Sequence, residues 1–193
     1  MKISACGDLL STLVKETTIP VLAETPLGKA AAIVIGMARA YADDGTTFFR
    51  DGDLVNALAA YWYGFGWLHF GWTSGFAVPP RDNHVPCPFV GSCENLPSTM
   101  RSRLEEKTRR YAHLLTTARA SVTMAMEPAA PGHDFAGRMM VIVDCYAMRG
   151  QMCMARGLQE DALTSFSYAH GWLDSGARTG FFQVVRNRDL FTV

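Results

Sequence analysis

The residues with the most chemical potential sit near the end of the chain. His170 and Asp174 are four residues apart, which on a helix puts both side chains on one face. A carboxylate beside an imidazole can orient it, exchange its proton, or join it in holding a metal. Tyr168 and Trp172 occupy the neighbouring face. Two ligands are too few for a protein metal site, so a polar pair at a helix surface or interface is the plainer reading.

Three other groups invite the same question. His84, Cys87 and Cys93 lie in a proline-rich stretch. Zinc knuckles use about two to four residues between cysteines, the interval here is longer, and no fourth ligand is near. Asp43, Asp44, Asp51 and Asp53 could hold a divalent cation through oxygen ligands, or form the solvated end of a helical hairpin. Arg101, Arg103, Arg109 and Arg110, with His113 nearby, could meet phosphate or simply face water. No glycine-rich phosphate loop, nucleophile elbow or dinucleotide fingerprint appears. The sequence therefore assigns no catalytic residue, no metal site and no cofactor.

Composition narrows the classes. Hydrophobic residues make up 49% of the 193 positions, charged residues 19%, and the net charge is zero. That excludes disorder and argues against a dedicated nucleic-acid binder, which carries a basic excess. The balance hides a sum of about −2 over residues 1–88 and about +2 over the rest. Five cysteines at irregular positions fit free thiols in a reducing cytoplasm. Leu54 to Pro80 carries no Asp, Glu, Lys or Arg, which raises the question of a membrane span.

A duplication answers it. Shifted by 105 residues, the chain matches itself without a gap. Tyr41-Ala42 meets Tyr146-Ala147, Gly52 meets Gly157, and Gly66-Trp67-Leu68 meets Gly171-Trp172-Leu173. Gly71, Gly75 and Phe76 meet Gly176, Gly180 and Phe181, and about a third of positions 41–76 are identical. The partner of the uncharged segment carries His170, Asp174 and Arg178, an odd twin for a membrane helix. The units are expected at 1–78 and 99–193, joined by a proline-rich linker over 79–98.

Each unit reads as three helices. The first spans roughly Pro97–Met126 in unit two, with Leu104, Tyr111 and Ala118 on one face and Thr108, Leu115 and Val122 beside them. Ser98 and Ser102 are plausible caps for it. Its twin carries Cys6, Leu9, Leu10 and Leu13 and stops before Pro20. The second helices carry Val34, Ala38, Tyr41, Gly45 and Phe48, and Met139, Val143, Tyr146, Gly150 and Cys153. Gly52 and Gly157 end them, and Asp53 caps the next helix where Leu158 cannot. The third helices are expected over roughly 53–77 and 158–183. Gly71 with Gly75, and Gly176 with Gly180, are one turn apart, a spacing that admits a neighbouring backbone. The reversed charges at Asp44 and Arg149, and at Asp51 and Arg156, suggest that the acidic hairpin faces the basic one.

The hairpins resemble the tetratricopeptide repeat in the spacing of Gly45, Gly52-Asp53, Ala57 and Tyr61, and of Gly150, Gly157, Ala162 and Phe166. The recurrence at 105 residues departs from that family's period of about 34. A closer resemblance is to an archaeal family catalogued as domain of unknown function 357. Tyr146, Gly157, Ala162, Tyr168, Gly171, Leu173 and Asp174 carry its pattern. Tyr41, Gly52-Asp53, Ala57, Tyr63, Gly66 and Leu68 carry it again, with His69 in place of the aspartate. The resemblance implies a three-helix bundle in tandem duplication and an archaeal cytoplasmic protein, and it implies no activity. A fainter likeness is to helical domains found with nucleotidyltransferases and in some RNases, but the Arg-to-His motif of the RNases is missing.

These readings converge on an all-α protein of two fused three-helix units about a pseudo-two-fold axis through the third helices. The leading expectation for function is a non-catalytic scaffold or protein-interaction module, acting on a protein partner or through self-association, with no membrane role. Its ligand or interface candidates are Tyr63, Trp67, His69, Gly71, Gly75, Tyr168, His170, Trp172, Asp174, Gly176 and Gly180. One alternative is a small-ligand binder with a pocket between the units, lined by Tyr63, Trp67, His69, Tyr168, Trp172 and Asp174. Another is an RNA- or nucleotide-related enzyme using the arginine-rich helix and His113.

Overall fold

A computed structural model describes residues 1–80 and 94–192. The proline-rich group His84, Cys87 and Cys93 lies outside the described residues. Three helices form each half: α1 Ile3–Glu16, α2 Pro26–Arg50 and α3 Leu54–Thr73, then α4 Arg101–Arg119, α5 Pro131–Ala155 and α6 Gln159–Arg178. The central layer runs α2, α3, α6, α5, with α1 on α2 and α3, and α4 chiefly on α6. The apolar segment is thus explained without a membrane. Helix α3 is buried on nearly every side because it lies in the middle of this layer. No described helix is long and apolar enough to cross a membrane.

The hairpin turns follow from local chemistry. Gly52 and Gly157 adopt φ of 76° and 75°, the left-handed geometry that ends α2 and α5. The Asp53 side chain then accepts from the Asn56 N–H at 3.1 Å and caps α3. Leu158 takes nearly the same backbone angles with no side-chain cap. A Cβ on Gly45 would lie 2.4 Å from the Tyr61 ring, and one on Gly150 would lie 2.4 Å from the Phe166 ring. These matched glycines are the hollows into which matched aromatics pack, which accounts for the spacing shared with tetratricopeptide repeats.

Four expectations need correction. The chain is not wholly α: β1 Val122–Met124 pairs antiparallel with β2 Phe182–Val184, with Thr123 opposite Gln183. Unit one holds the matching pair as a single bridge, Thr18 to Val78. The physical reason lies in two prolines. In unit two the ladder is extended by the Ala125 and Val185 N–H groups, bonded to Phe181 and Ser121 carbonyls. Their equivalents 105 residues earlier are Pro20 and Pro80, which have no N–H to donate.

The first helix of unit two is also shorter than expected. A 3-10 turn at Ser98–Met100 precedes α4, and Val122 lies in the strand beyond it. Neither Ser98 nor Ser102 caps it; Met100 holds that place with no side-chain bond. The third helices stop at Thr73 and Arg178 because Gly75 and Gly180 turn left-handed, with φ of 76° and 83°. Those two glycines therefore terminate helices and admit no neighbouring backbone. Finally, within one chain the described ion pairs do not join the acidic hairpin to the basic one, which leaves a contact between two chains as the remaining form of that expectation. Asp53 pairs with Arg103 of α4, while Arg149 lies 3.8 Å from Asp161 of its own unit.

Candidate functional site

The candidates on α3 and α6 come together where these helices cross. The crossing is set by Gly66 and Gly171. A Cβ on Gly66 would lie 2.5 Å from the Tyr168 carbonyl oxygen and 3.0 Å from the Gly171 Cα. A Cβ on Gly171 would lie 2.5 Å from the Tyr63 carbonyl oxygen and 3.1 Å from the Gly66 Cα. Only two facing hydrogens allow this approach. The expected glycine pairs do something else: Gly71 abuts Val34, Gly176 abuts the Phe182 ring, and Gly75 and Gly180 have open space where a Cβ would go.

Close backbones force the flanking side chains into a ring of polar contacts. The Tyr63 hydroxyl donates to Asp174 Oδ2 at 2.6 Å. The Tyr168 hydroxyl and His69 Nδ1 are 2.8 Å apart. These two bonds are duplicates of each other: position 63 matches 168, and position 174 matches 69. Tyr41 and Tyr146, also matched, stack on Tyr63 and Tyr168 at 4.3 and 4.4 Å between ring centroids.

The C-terminal segment completes the arrangement, and no sequence pattern announced it. The Thr192 N–H donates to Asp174 Oδ1 at 2.9 Å and the Thr192 hydroxyl donates to Oδ2 at 2.7 Å. His170 Nε2 lies 3.3 Å from the Leu190 carbonyl oxygen. Asp174 is wholly buried and accepts three hydrogen bonds, so three of its roughly four acceptor sites are committed to holding the fold.

Trp67 and Trp172 are buried in the same crossing, and Phe70 meets Trp172 edge-on at 5.8 Å. The indole N–H groups of Trp62, Trp67 and Trp172 have no partner among the described residues. The residues expected to line a pocket between the units are thus together, but as a packed and hydrogen-bonded contact. Of these residues only Tyr63 reaches one of the described openings, that of about 180 Å³ beside Lys107, while another of about 430 Å³ is lined by Lys2, Phe49, Leu54 and Glu94.

Burial sets the protonation of the site. It pushes His69 down to about 4, so the imidazole is neutral at pH 7. Burial also lowers His170, against the opposing pull of the Asp174 carboxylate. Burial and then the Asp174 charge raise Tyr63 well above the ordinary phenol value. His69 is therefore not poised for proton transfer near neutrality. Among the described residues no cluster of three His, Cys, Asp or Glu side chains could hold a metal.

A pH effect follows for His69. Its folded value lies below its unfolded value of 6.5, so the unfolded chain binds the extra proton first. Stability is complete above about pH 6.5 and falls as pH drops toward 4, by roughly 3 kcal/mol from this group. Denaturant midpoints across that range should show the loss, and His69→Gln should flatten the curve. An unchanged slope in the variant would mean that other groups set the acid limb.

A family model described as "Protein of unknown function (DUF357)" matches residues 8–77 and again 110–182. The chain belongs to this family. It carries the domain twice, in agreement with the internal repeat; the first match ends beside the Thr18–Val78 bridge and the second at the start of β2. No curated protein and no solved structure matches the chain. The Tyr, Gly and Leu positions that recur in both copies lie within the matched segments. Membership leaves the DUF357 chemistry open.

Proposed function

We propose that this DUF357 protein is a non-catalytic helical scaffold that binds a protein partner along the outer face of α5. The two units are read as related by a pseudo-two-fold axis through the Gly66–Gly171 crossing. The reciprocal contacts support it, because 66 meets 171 while 63 pairs with 174 and 168 with 69.

One observation carries the interaction surface. Val141, Cys145, Met148 and Met152 fall at intervals of four, three and four residues, the seam of a helix that packs against another helix. All four are exposed, with Val141 at 59%, Met148 at 61% and Met152 at 51%. The matched positions on α2 are Gly36, Ala40, Asp43 and Thr47, also exposed. The fold therefore does not require apolar residues there; only unit two carries them. Methionine suits an adaptable docking surface because its side chain is flexible and polarisable.

A photo-reactive residue placed at Cys145, and at the matched Ala40 as control, tests the reading in extracts of the source cell. A discrete crosslinked species should form from position 145, and Met148→Glu with Met152→Glu should abolish it. Equal crosslinking from both positions would sink the proposal. A crosslink only to a second copy of the chain would replace partner binding with self-association.

A further inference from the structure

We propose that the cleft between α2, α3 and α4 binds a small zwitterion of the amino-acid type, its carboxylate on the Lys107 ammonium and its cationic group toward Asp44. The cleft has a volume of about 180 Å³ and is lined by Tyr41, Asp44, Phe48, Tyr63, Lys107 and Tyr111, with Asn56 at its wall. That is room for a ligand of about six to eight heavy atoms, given about 30 Å³ per water-sized unit.

The charges are what point to the ligand. Lys107 is only 6% exposed, yet no carboxylate among the described residues pairs with it. Its ammonium donates to the Asn56 side-chain oxygen and sits 4.8 Å from the centre of the Tyr111 ring. A buried cation normally has a counter-ion in contact; this one bonds a neutral amide, and the Asp53 and Glu106 carboxylates act on it only from beyond ion-pair distance, opposed by Arg110 and Arg103. Burial, then the charge of Arg110, lowers Lys107 to about 8, as an under-compensated ammonium should be. Asp44 stands at the exposed rim of the same cleft, also outside any ion pair.

Unit two shows the filled version of this place. The positions matching Asp44, Asn56 and Ala60 are Arg149, Asp161 and Ser165. There Arg149 donates to the Ser165 hydroxyl and lies against the Asp161 carboxylate. One half of the protein thus satisfies the site with its own ion pair. The other half leaves a cation and a carboxylate separated across an opening. The ring of Tyr41 adds an aromatic surface that attracts a ligand cation, while that of Tyr111 already faces the Lys107 ammonium. A plain anion would be repelled by Asp44, and a plain cation by Lys107. This inference does not depend on the α5 surface.

Calorimetric titration of the full chain with the common amino acids and glycine betaine tests it, with acetate and tetramethylammonium as half-ligands. At least one zwitterion should bind saturably, and at least tenfold more tightly than either half-ligand. Asp44→Asn, on the exposed rim, and Lys107→Met should each weaken binding tenfold or more. Affinity should also fall about tenfold per pH unit above about 8, where the free protein loses the Lys107 proton. Absence of saturable binding across the whole panel overturns the proposal. So does a zwitterion no tighter than acetate, or binding indifferent to Asp44→Asn.

Discussion

Gly66→Ala should destabilise the protein by at least about 3 kcal/mol, whereas Gly36→Ala should stabilise it by up to about 1 kcal/mol. The two substitutions are chemically identical and both lie inside helices. At Gly36 a Cβ meets nothing within 4 Å, so only the gain in helix propensity is felt. At Gly66 the new methyl would sit 2.5 Å from the Tyr168 carbonyl oxygen. That atom belongs to the backbone of α6 and cannot rotate away, so the helices must separate. Separation would strain the Tyr63–Asp174 and Tyr168–His69 bonds together. Gly171→Ala should cost about as much, by the reciprocal contact. The double variant should cost less than the sum, because one separation relieves both clashes. Denaturant unfolding of the four variants measures this. A neutral or stabilising Gly66→Ala would mean that the helices do not cross as described.

The second large effect is expected at Asp174. Replacing it with alanine removes the acceptor for three donors: the Tyr63 hydroxyl, the Thr192 N–H and the Thr192 hydroxyl. Hydrogen bonds to a charged group contribute about 1.5–3 kcal/mol each, and a buried donor left unpaired adds its own desolvation cost. Thr192 is exposed and can turn to water, so its share is partly recovered. A net loss of about 3 kcal/mol or more is expected. The C-terminal segment should also loosen, since Asp174 anchors Thr192 from α6. Amide exchange over residues 186–192 should accelerate by at least tenfold in the variant. Tyr63→Phe removes one bond and leaves the segment anchored, so its cost should be smaller and its exchange unchanged. Asp174→Asn should fall between the two, since the amide keeps one acceptor oxygen. A loss below about 1 kcal/mol for Asp174→Ala would show that the carboxylate is not a structural centre.

The two predictions share a cause. The crossing is buried, polar and tightly packed at once, so each member depends on the others. His170 and Asp174, which share a helix face as their spacing requires, feel each other electrostatically but are not hydrogen-bonded to each other. Each is bonded to the C-terminal segment instead. The arginine-rich helix matters here as structure. Arg103 and Lys107 reach from unit two to Asp53 and Asn56 of unit one and tie the halves together.

The sequence by itself determined the duplication, the six helices, their order and their turns. Those properties rest on interactions within a few residues: apolar period, left-handed glycines at 52 and 157, and the Asp53 cap. The core stripes of α2 and α5 were legible for the same reason, since Val34, Ala38, Met139 and Val143 are all buried. Family membership was legible too, because packing positions recur in both copies.

Tertiary structure alone decided the rest. Among matched glycine pairs, only 66 with 171 brings two backbones together, and nothing local distinguishes that pair from 71 with 176. The pairing of Tyr63 with Asp174 spans 111 residues, and that of His69 with Tyr168 spans 99. Bonds over such distances leave no period or spacing in a sequence. Whether the surplus apolar residues face the core or solvent was equally hidden. The third helices, expected at the contact between the units, are its buried interior, and Val141, Met148 and Met152 of α5 are exposed, because exposure depends on which neighbour a helix has and not on its own residues.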